Sequence, residues 1–218
     1  MKLSEQTLTV LKNFASINSG LVIQKGKTQK SVSPQMTVLI EAKLEDDFPE
    51  TFGIYDLNQF LGNVTTLKSP ELTFSEKNVI MDDGDVQLNY HACSPSAVVS
   101  PPQGKELTLK SVDVTFNLTN ATLTKLLRLA SMNDLTYITL IGKNGELRLQ
   151  THEKSNDTSN YAASKISDFS GDDFSISFKA EYLRLIPDDY TVEVAIGSFA
   201  KFVNKAGNLT YFIAQEKK

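Results

Sequence analysis

A twelve-residue segment of this chain occurs twice, and duplication limits the folds open to it more than any other feature. Thr7-Leu-Thr-Val-Leu-Lys-Asn-Phe-Ala-Ser-Ile-Asn18 aligns without gaps to Thr122-Leu-Thr-Lys-Leu-Leu-Arg-Leu-Ala-Ser-Met-Asn133. The offset is 115 (122 − 7), and seven of the twelve positions are identical. A second pair follows in the same order. Phe52-Gly-Ile-Tyr-Asp-Leu-Asn-Gln-Phe-Leu61 matches Phe174-Ser-Ile-Ser-Phe-Lys-Ala-Glu-Tyr-Leu183 at an offset of 122 (174 − 52). The seven extra residues fit the polar stretch from Thr151 to Asn160. A period this long describes a duplicated domain, not a solenoid.

Within each copy the apolar spacing is helical. Leu8, Leu11, Phe14, Ala15 and Asn18 form one stripe behind an N-cap at Ser4; Leu123, Leu126, Leu127 and Ala130 form its counterpart. On the outer face Val10 and Asn13 of the first copy become Lys125 and Arg128 in the second. Asp56 stands three residues before Gln59, the spacing of a capping box, and predicts a helix buried through Leu57, Phe60, Leu61 and Val64. A fourth helix is expected over Lys179 to Ile186, ended by Pro187.

Strands are expected at 21–23, 36–44, 51–55, 72–74, 79–81, 86–90, 112–118, 174–178, 191–196, 201–203 and 209–214, with a hairpin over 137–149 around Asn144-Gly145. Glu45-Asp-Asp reads as an acidic loop. Cys93 to Lys105 holds three prolines and no period, and reads as an extended connector near the midpoint. The expected division is an N-terminal domain over 1–92, a connector over 93–110 and a C-terminal domain over 111–218. Each domain is helix, strands, helix, strands, so the class is α+β, two helices against antiparallel sheet in each half.

Composition excludes several functions. No apolar run approaches the ~18 residues of a membrane span. One cysteine, Cys93, permits no internal disulfide; with no apolar leader at the start, a reducing cytoplasmic setting is expected. Gly20 to Thr28 imitates a phosphate loop, but five residues separate its glycines and it follows a helix. His91 and His152 lack the neighbours of a metal site or a general base, and Cys93 lacks a basic activator in sequence. Asp82-Asp83-Gly84-Asp85, Asp172-Asp173 and Asp188-Asp189 read as solvated turns without calcium-loop spacing. No catalytic residue, cofactor or metal is expected.

The charges are unevenly distributed. Residues 7–18 carry Lys12, 56–65 carry Asp56, 120–133 carry Lys125 and Arg128, and 178–186 carry Lys179, Glu181 and Arg184. The expected helices total +3 in a chain of −4, which leaves −7 elsewhere. Such faces are either merely solvated or a weak, sequence-independent surface for phosphates.

Four segments carry a resemblance. Met1-Lys-Leu-Ser, Leu11-Lys-Asn-Phe-Ala-Ser-Ile-Asn-Ser-Gly20, Ile54-Tyr-Asp-Leu-Asn-Gln-Phe-Leu-Gly62 and Pro95-Ser-Ala-Val-Val-Ser-Pro101 resemble the DNA polymerase sliding clamps of T-even-like bacteriophages in order and spacing. Over the second half the likeness rests on element order and length. The resemblance implies a homotrimeric, head-to-tail ring of the DNA clamp fold, with helices lining a hole around double-stranded DNA in an infected bacterial cell. It implies a non-enzymatic processivity factor that holds DNA by topology and is opened by an ATP-dependent clamp loader. DNA polymerase and other replication or late-transcription proteins would dock by C-terminal peptides beside the connector. Lys12, Lys125, Arg128, Lys179 and Arg184 are then expected to face DNA, and Val98, Val99 and Pro101 to line the docking pocket. The other reading is a virion protein that builds a symmetric ring without sliding on DNA.

Overall fold

The computed structural model describes residues 1–102, 107–156 and 158–216; residues 103–106 of the expected connector and Asp157 of the polar stretch lie outside them. The chain divides into two compact units, Met1–Lys105 and Glu106–Lys218. Among the described residues three α-helices and fifteen strands occur, and all the strand ladders described below are antiparallel.

The first unit opens with α1 (Glu5–Ala15), then β1 (Leu21–Ile23), β2 (Gly26–Val32), β3 (Val38–Phe48) and β4 (Phe52–Ile54). It continues with α2 (Leu57–Thr66), β5 (Glu71–Phe74), β6 (Asn78–Asp82) and β7 (Gln87–His91). Here β2 pairs with β3, β1 with β4, and β5-β6-β7 form a meander. Phe48, Phe52, Phe60 and Phe74 meet as tilted and edge-on rings at the centre, a preferred arrangement for aromatic pairs. Against them pack Leu57, Leu61 and Val64 of α2, all buried as their spacing predicts.

The second unit runs β8 (Val114–Leu118), α3 (Asn120–Met132), β9 (Tyr137–Lys143), β10 (Glu146–His152), β11 (Ala162–Asp168) and β12 (Phe174–Lys179). It closes with β13 (Tyr190–Val194), β14 (Phe199–Asn204) and β15 (Leu209–Ala214). One of its ladders is ordered β11-β10-β9-β12, the other β8-β13-β14-β15. Asn144 and Gly145 turn β9 into β10 with φ of 51° and 79°, the left-handed pair that a two-residue hairpin requires.

The duplication extends to the helix caps. Ser4 Oγ accepts from the Thr7 amide at 3.1 Å, and Thr119 Oγ1 accepts from the Thr122 amide at 3.3 Å. A carboxylate from within the same unit supports each first turn. Asp46 accepts from the Ser4 amide at 2.7 Å, and Asp189 accepts from the Asn120 amide at 2.8 Å.

Four sequence expectations are corrected. No fourth helix forms: Ala180–Tyr182 makes a single 3-10 turn, so the second unit has one helix instead of two. Eight residues cannot repay helix nucleation alone, and Pro187 disfavours helical geometry at Ile186. Instead, the Ile186 amide donates to Tyr211 Oη at 3.0 Å, and the Tyr190 hydroxyl donates to the Ile186 carbonyl at 2.5 Å. Glu45, Asp46 and Asp47 are not a loop but the end of β3, where Leu44 and Phe48 point inward. The connector is not extended throughout, because Pro95–Ala97 winds one 3-10 turn. The buried stripe of α1 is Thr7, Val10, Leu11 and Phe14, so Val10 belongs to the core and not to the outer face.

Candidate functional site

The absence of the fourth helix revises the charge pattern. Glu5 and Lys12 cancel on α1, α2 carries no charge, and α3 carries Lys125 and Arg128. The helices hold a net +2 in a chain of −4, so everything else holds −6. Lys125 and Arg128 stand three residues apart, on one exposed face of α3. With Asn120, Ala121, Thr124 and Leu129 they line a shallow trough of about 350 Å³. Lys12 is exposed on α1. None of the ion pairs among the described residues uses Lys12, Lys125 or Arg128.

The other two expected cations sit differently. Lys179 ends β12, its ammonium 3.9 Å from Glu181 and 5.6 Å from the centre of the Tyr182 ring. Tyr182 first, then Glu216, holds Lys179 above the ordinary lysine range. Arg184 lies exposed in the irregular segment before Pro187. Neither stands on a helix, and the structure groups only Lys125 and Arg128 in one trough.

The connector begins against the first unit. Cys93 bridges to Gly53 of β4, where an added Cβ would lie 2.5 Å from the Cys93 carbonyl oxygen. Burial pushes the Cys93 thiol up, away from the thiolate a nucleophile needs. Val98 then turns inward at 9 % exposure and covers Gly20, where a Cβ would come within 3.0 Å of its Cγ1. Gly20, which opens the imitation phosphate loop, is thus a seat for Val98. Val99 faces solvent at 44 %, and Pro101 is half-buried. Tyr55, 71 % exposed, contributes a carbonyl oxygen beside the same glycine. Sequence reasoning missed Tyr55; an aromatic directly before an N-cap was its only signal.

His152 has structural partners, and His91 lies exposed at the end of β7. His152 Nε2 lies 2.6 Å from the buried Thr139 hydroxyl, which is 2.8 Å from Ser177 Oγ. Burial, then Lys154, holds His152 below the usual imidazole range. Among the described residues no group of three or more His, Cys, Asp or Glu is placed to hold a metal, and no helix is long and apolar enough to cross a membrane.

Two α+β units built on the same capped helix define a DNA-clamp architecture. The chain belongs to the sliding-clamp family. The family model for DNA polymerase processivity factors matches residues 2–100. The sliding clamp of Vibrio phage KVP40 is 30% identical over 232 residues, which cover 99% of this chain and 99% of the relative. The sliding clamp of Enterobacteria phage T4 is 30% identical over 160 residues, covering 72% of this chain and 69% of the relative. Among solved structures, A. fulgidus PCNA bound to the C-terminal region of FEN-1 superposes with a TM-score of 0.71 at 15% identity, over 97% of this chain and 95% of that one. None of these three is a virion structural protein.

Proposed function

We propose that three copies of this chain close head to tail into a ring that slides along duplex DNA and tethers the replicative DNA polymerase. The observation that carries the reading is the capped helix present in both units of a sliding-clamp relative, with unpaired cations on its outer face. Each unit leaves several strand edges unshared among the described residues, β7 and β11 among them. In the first unit β7 pairs only with β6, and in the second β11 pairs only with β10, among the described residues. Open edges invite pairing with another chain. A chain with two different edges joins heterologously and closes a ring when the rotation permits.

In that ring the helices face the DNA, and Lys12, Lys125, Arg128, Lys179 and Arg184 meet its phosphates. The contacts are few and read no bases, so the ring slides while topology holds it. The acidic remainder keeps DNA from the outer surface. Polymerase and other replication or late-transcription proteins dock by C-terminal peptides at Val99 and Pro101, with Val98 as the buried anchor of the pocket floor. The A. fulgidus PCNA structure, with the C-terminal region of FEN-1 bound, supports this mode of docking. An ATP-dependent loader on other chains opens the ring, and the clamp itself performs no catalysis.

The test is DNA synthesis on primed circular template with polymerase and loader, with and without ATP. Product length rises only when this chain, loader and ATP are all present; unchanged length sinks the proposal.

A further inference from the structure

The second repeated pair places Gly53 of β4 and Ser175 of β12 at the same position, in opposite surroundings. Gly53 is buried against the start of the connector. Its carbonyl accepts from the Cys93 amide at 2.9 Å, and the Cys93 carbonyl oxygen leaves no room there for a Cβ. Ser175 is exposed, and β12 is the last strand of the ladder β11-β10-β9-β12. All three residues of β4 are buried, whereas β12 buries only Ile176 and Phe178. Among the described residues, no segment lies along Ser175 as the connector lies along Gly53.

Beside Ser175 runs a trough of about 870 Å³, lined wholly by the second unit. Its floor is the outward face of β9, β10 and β12, and its far wall is the β13–β14 turn at Ile196-Gly197 with Gln215 and Glu216. The polar side chains that hold floor and wall are already engaged. The Thr139 hydroxyl lies between Ser177 Oγ and His152 Nε2, and Gln215 accepts from the Gly197 amide at 2.8 Å while donating to the Ala195 carbonyl at 2.7 Å. The β12 backbone is what remains open. The Ser177 carbonyl accepts from the Glu216 amide at 2.8 Å, so it points away from β9. Ser175 and Ser177 lie opposite Ile141 and Thr139 in one register. Residues two apart on a strand aim their N–H and C=O to the same side, so Ser175 also turns its amide and carbonyl away from β9.

Main-chain groups along an open strand edge select another extended chain. Lys154 is the one Lys or Arg in the lining, and its ammonium stands 4.6 Å from the centre of the Tyr137 ring. Asp173 and Glu216 also line the trough, and neither makes an ion pair among the described residues. That balance repels a phosphodiester and favours a basic peptide. Ile141 and Ile196 offer apolar contact to alternate side chains of a strand. We propose that this trough is a second peptide-docking site, at which a partner protein lays an extended, Lys- or Arg-bearing segment along β12 as the next strand. It is separate from the docking at Val99 and Pro101 and does not depend on it.

Selection of random linear peptides by mRNA display on the whole chain tests this, with fluorescence anisotropy of the selected peptides on substituted proteins. One class is expected to carry Lys or Arg and to bind Val99→Asp with the affinity it has for the unsubstituted protein. That class weakens by about tenfold with Ser175→Pro, which deletes the outward amide and spares the bonds to β9. Ser175→Ala leaves it unchanged, because the backbone and not the hydroxyl is read. Methylating alternate backbone amides of the peptide abolishes its binding, a readout that holds whether or not Ser175→Pro folds. The proposal is overturned if no class survives Val99→Asp, or if the surviving class is acidic or indifferent to Ser175→Pro or to amide methylation. A change in the sedimentation of Ser175→Pro without peptide also overturns it, because the edge is then a contact between copies of this chain.

Discussion

The side-chain amide of Asn18 reaches 81 residues along the chain to donate to the Val99 carbonyl at 2.9 Å. The same Nδ2 donates to the Val32 carbonyl at 3.0 Å, and Oδ1 accepts from the Gly20 amide at 3.1 Å. One buried residue after α1 thus fixes the end of β2 and the path of the connector. Its repeat counterpart Asn133 is exposed and bonds the Leu129 carbonyl and the Asn160 amide. Replacing Asn18 with Ala takes this partner from the buried Val32 carbonyl and Gly20 amide, at a cost of about 1–3 kcal/mol. Asn133→Ala costs less, because water reaches its partners. Urea denaturation of the two variants checks this; equal losses would contradict it.

Val98 and Val99 are adjacent but separable. Val98→Asp places a carboxylate against Gly20 and destabilises the first unit by about 1–3 kcal/mol or more. Val99→Asp leaves the denaturation midpoint unchanged and removes affinity for a polymerase C-terminal peptide. Calorimetric titration reads the second effect. Full peptide affinity in Val99→Asp would move the docking pocket elsewhere.

Lys125→Ala with Arg128→Ala shortens replication products while sedimentation still finds the assembled ring. Lys12→Ala has the smaller effect. A double variant that fails to assemble would make these cations interface residues instead.

The Tyr190–Ile186–Tyr211 bonds predict an alkaline transition. Burial raises both phenols, Tyr211 to about 12. A group whose folded pKa exceeds its unfolded value near 10 contributes stability that is complete below pH ~10 and is lost as pH rises toward 12. Tyr211→Phe removes the acceptor of the Ile186 amide and costs about 0.5–1.5 kcal/mol. Denaturation between pH 9 and 12 should show the wild-type loss and a shallower one in the variant. Identical slopes would contradict the assignment.

Much of this was legible in the sequence because local rules and tertiary packing agree there. The Thr-Leu-Thr repeat, the Asp56 cap and the Asn144-Gly145 turn each fix their own backbone. β2 was hidden because Gln29 and Ser31 are buried polar residues that break the apolar alternation. Gln29 is satisfied by the Gln24 amide and by the Gln24 and Gly26 carbonyls. β11 was hidden because Ala162, Ser164 and Ile166 offer too little apolar surface to mark an inward face. The fourth helix failed because so short a segment before Pro187 cannot repay nucleation and because Tyr190, four residues on, and Tyr211, 25 residues on, hold Ile186 in a non-helical course. Val10 is buried while Lys125 at the same repeat position is exposed, a difference that the shared residues of the repeat do not announce.

The central claim is that a ring holds DNA by topology. Labelled chains loaded onto nicked circular duplex with loader and ATP should remain bound through gel filtration at raised salt, and should be released when a restriction enzyme linearises the circle. Retention on the linearised product, or loss from the intact circle at the same rate, would contradict it.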